Sequence, residues 1–306
     1  MGGKIRTIEL IANTASGSVG PAAPDEARAI LAEFGDRANV CVPENGDVTG
    51  CLQAAIDRGP DLLVILAGDG TARAAAELCG VKGPLIAPLP GGTMNMLPKA
   101  IYGTTDWKAA LRDTLEHGEE RVIGGGEVEG RMFLVAAILG SAALLAPARE
   151  AVREGRPLVA FHRARRAWRR AFSGRLRYSL DGGPRGKAEA MSFMCPIASR
   201  ALDDDAQCLE AAALDPAGVA EALRLGLHSV MGNWRDDPSV EAIACRRARV
   251  WASSGVPAVL DGEPARLSAS VQVVWKNEVA RVLAPPRKAD TKARETLAET
   301  TARAGS

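Results

Sequence analysis

The chain is 306 residues long, 47% hydrophobic and 25% charged, with a formal net charge of +1. That length and balance are those of a soluble globular protein with room for two domains and a substantial core. A net charge so near zero excludes a general attraction to nucleic acid or anionic membrane, so any such attraction must come from local clustering.

The first segment, MGGKIRTIEL, lacks the apolar core of a signal peptide. It also lacks the Ser or Thr at the sixth position of a myristoylation signal. No stretch approaches the ~20 apolar residues of a membrane-spanning helix. A cytoplasmic protein is expected, one that meets lipid, if at all, from the water side. IRTIELIA (5–12) predicts a strand, and residues 24–34 a helix with apolar residues at helical spacing. ANVCV (38–42) is a second strand. Asp47 caps a helix that ends on Gly59. DLLVILA (61–67) is a continuous apolar run, as a buried parallel strand requires. Residues 71–80 form a helix stopped by Gly80, and PLIAPL (84–89) is another strand. Strand-helix alternation with short connections predicts an α/β, doubly wound parallel-sheet domain over residues 1–120.

From residue 121 the rhythm changes. A Gly-rich break at 124–126 precedes strand-like runs, and residues 175–182, 189–197, 241–253 and 257–263 read as antiparallel strands. Segments 142–172 and 216–230 are helical by composition. This predicts a second, mainly antiparallel β domain over 121–284, of which residues 275–284 can pack back on the first. Residues 285–306 are polar and aromatic-free, a solvated tail. The six cysteines, Cys41, Cys51, Cys79, Cys195, Cys208 and Cys245, show no C-x-x-C pair and read as small hydrophobes in a reducing compartment. His117, His162 and His228 have no ligand spacing.

Three strand ends carry the chemistry. Gly68-Asp69-Gly70-Thr71 follows the strand 61–67 and opens a helix. Its glycines can take positive φ and admit a ligand close to the backbone, and the helix amides behind them suit phosphate. Asp69 can accept from a ligand hydroxyl, orient a loop or hold Mg²⁺ through water. The bland alternative is a tight turn with Asp69 as helix cap. Pro90, Gly91, Gly92, Thr93 and then Asn95 repeat the device after the next strand, and Asn13, Ser16 and Gly17 end the first. In an open parallel sheet these ends share one rim, where ligands bind.

N-x-x-S-G, G-D-G-T, P-x-G-T-x-N and a late D-G-E (Asp261, Gly262, Glu263), spread over residues 5–282, together resemble the diacylglycerol kinase catalytic family. That family includes bacterial lipid kinases and, more distantly, ceramide and sphingosine kinases. The resemblance implies a nucleotide cleft between the two domains and phosphoryl transfer from ATP, with Mg²⁺, to a lipid hydroxyl, diacylglycerol-like in kind. It implies that Asn13, Ser16, Gly17, Gly68, Asp69, Gly70, Thr71, Thr93 and Asn95 bind nucleotide. Val42 stands where the family often has Thr. Glu263 would be the proton acceptor, aimed by a turn at Asp261, and Asp69 would share the catalytic work. For Asp261-Gly262 the plain alternative is a hairpin turn.

Leu202, Asp205 and Gln207 match the family's segment for a structural Mg²⁺, although Asp205-Ala206 replaces Asp-Gly and a solvated acidic loop is an equal reading. Ala67 replaces the first Gly of the family turn, and Arg73-Ala74 its usual Asn-Glu. The basic segment 161–175, with Phe161, Trp168 and Phe172, reads as a peripheral membrane contact or as a solvated helix. No motif supports nucleic-acid binding, and the oligomeric state is open. The other functions in view are an NAD-kinase-like enzyme with a soluble acceptor and a non-catalytic nucleotide or lipid sensor.

Overall fold

The computed structural model describes residues 5–34, 38–140, 143, 176–199, 201–203, 205–214 and 240–286. Within these the chain divides into two compact units, one of residues up to Ile123 together with those from Ala280 on, the other Gly124–Val279. The expected helices at 142–172 and 216–230, the basic segment 161–175 and nearly all of the 285–306 tail lie outside the described residues.

The first unit is built on β1 (Ile8–Ala12), β2 (Ala38–Cys41), β3 (Leu62–Ala67) and β4 (Leu85–Pro90), in the order β2-β1-β3-β4, all parallel. The end of the late strand β16 (Ser270–Ala284) adds to β4, Val282 lying beside Ile86 in parallel. All six residues of β3 are buried, because helices cover both of its faces. One face, through Leu10, Val64, Leu66 and Leu89, meets α1 (Ala23–Ala32) and α5 (Trp107–His117). On the other side α2 (Val48–Asp57) contacts β1, and α3 (Asp69–Cys79) contacts β3 and β4. The expected caps are in place: Asp47 accepts from Gly50 N at 2.9 Å, and Gly80 ends α3 at a φ of 57°. The helix α5, capped by Asp106 on Lys108 N and Ala109 N, was not read from the sequence.

The second unit is a sandwich. One sheet runs β12 (Val240–Cys245), β11 (Leu209–Leu214), β10 (Ala190–Met194), β7 (Ala136–Gly140), β14 (Pro257–Leu260), β15 (Glu263–Arg266), every pair antiparallel. The other is formed by the start of β16 with β13 (Arg247–Trp251), β8 (Leu176–Leu180) and β9 (Gly186–Ala188). Here β5 (Glu119–Val128) pairs with β16 and with β6 (Arg131–Phe133). The core between the sheets includes Phe133, Leu139, Leu176, Phe193, Val250 and Val273.

Three expectations need correction. Gly124–Gly126 is no break: it lies inside the ten-residue β5, where a Cβ on Gly124 would stand 2.3 Å from the Trp275 ring and one on Gly126 1.9 Å from Phe133. The glycines make room for two rings. The run 241–253 is two strands in different sheets, divided at Arg246, whose N–H and that of Arg247 both donate to the Asp181 carboxylate. Cys41 and Cys51 are joined as a disulfide, because the start of α2 brings Cys51 back over the end of β2. Cys79, Cys195 and Cys245 are buried thiols, as expected, and Cys208 is a half-buried one.

Filling the space above Phe133 should overpack this core. Gly126→Ala is expected to cost about 1–3 kcal/mol, read as a lower urea midpoint. Gly20→Ala, whose Cβ meets nothing within 4 Å, should leave the midpoint unchanged.

Candidate active site

The turns after β1, β3 and β4 are contiguous because their strands are adjacent. Asn13 N donates to Leu66 O at 3.0 Å, continuing the β1–β3 ladder one residue past the strand, and Asn13 Oδ1 accepts from Ala15 N at 3.2 Å. The chain then turns toward the β4 end. Ser18 N donates to Gly91 O at 3.2 Å and Ser18 Oγ to Gly92 O at 3.0 Å. Gly17 lies against Thr93, whose Oγ1 is 2.3 Å from where a Gly17 Cβ would stand. Ser16 Oγ lies 3.4 Å from the corresponding point on Gly68. Asn13, Ser16, Gly17, Gly68, Thr93 and Asn95 are thus gathered on one rim. Val42 follows β2, the strand on the other side of β1, one position beyond the Ile11–Cys41 pair.

The glycines serve close approach rather than unusual torsion. Gly68 has a φ of −80° and Gly70 is the second residue of α3, so the expected positive φ at these positions is not adopted. A Cβ on Gly92 would stand 2.7 Å from Gly68 Cα, and one on Gly91 2.6 Å from Ala67 N. Backbone meets backbone at both points, leaving no space for a side chain. Ala67, in place of a glycine, is tolerated because it is an ordinary buried strand residue.

Asp69 is not the cap of its own helix. The cap residue of α3 is Gly68, with no side-chain hydrogen bond, and Asp69 Oδ1 instead accepts from Leu97 N at 3.0 Å. Leu97 is the second residue of α4 (Met96–Tyr102), so the acid of one turn caps the helix of the next. Asn95 precedes α4 in the left-handed region, at a φ of 50°, which Asn tolerates better than most residues. Its buried Oδ1 accepts from Gly92 N at 2.7 Å. The first turn of α3, holding Gly70 and Thr71, presents the positive end of a three-turn helix dipole at the middle of this rim. Such an array of amides and hydroxyls suits a phosphate chain. Arg73 is ion-paired with Glu77 at 4.0 Å, one turn further along α3.

In the second unit Glu263 is exposed at the start of β15, directly after a two-residue turn. Asp261 and Gly262 have φ of 47° and 88°, the positive pair that closes a tight β-hairpin. The hairpin reading of Asp-Gly is therefore the geometry present, and it fixes Glu263 in register opposite Leu260. The Asp261 carboxylate is buried and accepts from Leu134 N at 2.6 Å, Val135 N at 2.9 Å and Ala136 N at 2.9 Å. Three amides hold that turn rigid. Burial pushes the adjacent Cys195 thiol well above its ordinary value, with the Asp261 charge adding to the effect, which keeps it an inert thiol.

The residues matched to a structural Mg²⁺ are held by the protein itself. Leu202 N and Ala201 N donate to Ser199 Oγ at 2.9 and 3.0 Å, and Ser199 Oγ also bonds Glu210. Gln207 O accepts from Arg246 Nε at 3.1 Å, while Asp205 is exposed. A guanidinium therefore stands at the carbonyl that a divalent cation would use, and like charges repel at that distance. Among the described residues there is no group of three or more acidic, His or Cys side chains arranged to hold a metal.

A rim of backbone-lined turns on a parallel sheet, with a β-sandwich as second unit, is the fold that lipid and NAD kinases share. The chain is similar to the crystal structure of a diacylglycerol kinase from Bacillus anthracis str. Sterne, at 13% identity over 93% of this chain and 99% of that one, TM-score 0.68. It is also similar to an NAD kinase from Archaeoglobus fulgidus in complex with ATP (12%, 90% and 93%, TM-score 0.51) and to yeast NADH kinase complexed with NADH (13%, 93% and 85%, TM-score 0.53). Residues 7–126 match the family model of the diacylglycerol kinase catalytic domain, the family that the motifs resemble. No match was found among curated proteins.

Two stability measurements test this geometry. Gly92→Ala should lower the melting temperature by several degrees, since backbone cannot give way, as expected for about 1–3 kcal/mol of overpacking. Gly68→Ala, whose Cβ would meet only ordinary contacts, should move it by less than about 1 °C. For the loop at 199–208, nucleotide-free protein should melt at the same temperature in excess chelator and excess magnesium. Arg246→Ala should lower that temperature by about 2 °C, the effect of one exposed charged hydrogen bond.

Proposed function

We propose that the protein is an ATP-dependent lipid kinase, which transfers the γ-phosphate of ATP to the hydroxyl of a diacylglycerol-like lipid. The observation that carries this reading is the joining of three strand-end turns, through Gly17–Thr93, Ser18–Gly91 and Gly68–Gly92, into one rim in front of α3. In the proposal Asn13, Ser16, Gly17, Gly68, Gly70, Thr71, Thr93 and Asn95 line the nucleotide site, with Val42 at its edge. Backbone amides and the α3 dipole supply the countercharge to the phosphates. The match of residues 7–126 to the diacylglycerol kinase catalytic domain favours a lipid acceptor over a dinucleotide.

In the same proposal Glu263 accepts the proton of the attacking hydroxyl, and Asp261 positions it through the amide clamp. Asp69, at the head of α3, orients the nucleotide loop and is also within its catalytic set. General-base help contributes about 10²–10⁴-fold, the larger part of the acceleration coming from positioning and charge neutralisation. Mg²⁺ would accompany the nucleotide as Mg·ATP and would supply countercharge to its phosphates. No helix among the described residues is long and apolar enough to cross a membrane.

A second reading, an NAD-kinase-like enzyme with a soluble acceptor, is favoured by the similarity to the NAD and NADH kinase structures. Labelled ATP offered with diacylglycerol, ceramide, sphingosine and NAD separates the two. Label in the lipid phase supports the proposal, and transfer to NAD alone overturns it. Glu263→Gln should reduce turnover about 10²–10⁴-fold while calorimetric binding of Mg·ATP persists. Wild-type protein that binds Mg·ATP and phosphorylates nothing in a lipid extract would instead be a sensor.

A further inference from the structure

The sheet formed by β16, β13, β8 and β9 turns Leu176, Val250 and Val273 to the sandwich core and an alternating set of residues outward. Trp251 is opposite Arg177, which is opposite Lys187. Arg249 and Arg247 follow on the same face of β13, two and four residues from Trp251. Arg185, just before β9, stands over the Trp251 ring at 5.7 Å, and Arg249 at 5.8 Å. Five exposed cations thus surround one half-buried indole.

Among the described residues of this face little neutralises them. Over residues 176–188, 247–251 and 270–274 the one acid is Asp181, and its carboxylate is taken by the backbone N–H groups of Arg246 and Arg247. Among the described residues none of the five cations has an ion-pair partner. Like charges side by side on a sheet destabilise it. With a whole-chain charge of only +1, the concentration of positive charge is a local feature.

We propose that this sheet face docks on an anionic lipid surface, its cations meeting phosphate headgroups and Trp251 seated at headgroup depth. A sheet face offers its charges to many headgroups at once, and an indole flanked by guanidinium groups has the amphipathic character of an interfacial anchor. Single-stranded nucleic acid would call for several stacking rings, and among the described residues this face has one. The choice of a bilayer rests on the lipid-kinase reading above.

The test is co-sedimentation of the full chain with phosphatidylcholine vesicles, with and without phosphatidylglycerol. Wild-type protein is expected to bind only the anionic vesicles and to be released at about 1 M salt, where the screening length is about 3 Å. Each cation near such a surface is worth about fivefold in partitioning, so Arg177→Gln with Arg249→Gln should weaken binding about 25-fold. The corresponding Glu pair should weaken it further. Both pairs should melt no lower than wild type, since they relieve like-charge repulsion, and should keep its turnover of a water-dispersed short-chain diacylglycerol. Unchanged partitioning of both pairs, equal binding to the two vesicle types, or retention by an oligonucleotide without vesicle binding would each overturn the proposal. If short-chain lipid is phosphorylated while the variants partition as wild type, the docking face falls and the kinase reading stands. If anionic vesicles are bound through this face but no lipid is phosphorylated, the face stands and the kinase reading falls.

Discussion

Where the turn after β4 crosses the turn after β3, Gly92 and the Cα of Gly68 are too close to admit one more carbon atom. The rest of the rim depends on that contact. It lets Gly91 N reach Ala67 O, and it brings Asp69 within reach of the first turn of α4. By capping the neighbouring helix, Asp69 ties two strand ends together with one carboxylate oxygen. Asn95 completes the link from the other side by turning its amide oxygen back to Gly92 N. The glycines act by subtraction, and the polar side chains between them convert the close approach into a fixed arrangement of amides.

The second unit solves the same problem by opposite means. The turn bearing Glu263 is held by a buried carboxylate rather than by close approach. An ionised carboxylate away from water is costly unless donors surround it, and Asp261 collects three successive amides where β6 passes into β7. Each partner satisfies the other: the amides lie outside a regular ladder, and the acid lies where solvent cannot serve it. The outcome is an exposed Glu263 side chain on a turn held by three hydrogen bonds.

Features encoded within a few neighbouring residues were legible in the sequence. The four parallel strands, the Asp47 cap, the Gly80 stop and the Asp-Gly hairpin each follow from a short local pattern. What was misread depends on distant partners. Three glycines in a row look like a break until the Trp275 and Phe133 rings are placed over them. Residues 241–253 alternate like one strand, and only the carboxylate of Asp181, 65 residues from Arg246, divides them. Gly68 reads as a site of torsional freedom, whereas the position that cannot take a side chain is Gly92, whose Cβ would meet the Gly68 Cα, and that requires both turns in view. The pairing of Cys41 with Cys51 carries no motif at all, since ten residues separate them and only the path of α2 joins them.

The described residues of the loop at 199–208 are held by contacts within the chain. Its fold needs something positive at the Gln207 carbonyl and something to collect the amides of Ala201 and Leu202. A guanidinium on β13's leading turn provides the first, and the Ser199 hydroxyl, itself bonded to Glu210, the second. Arg246 can do this because Asp181 fixes its backbone, so the cation is held at a set place by the same contact that ends β12. The contacts of this loop are thus made within the chain, by Ser199, Glu210, Arg246 and Asp181.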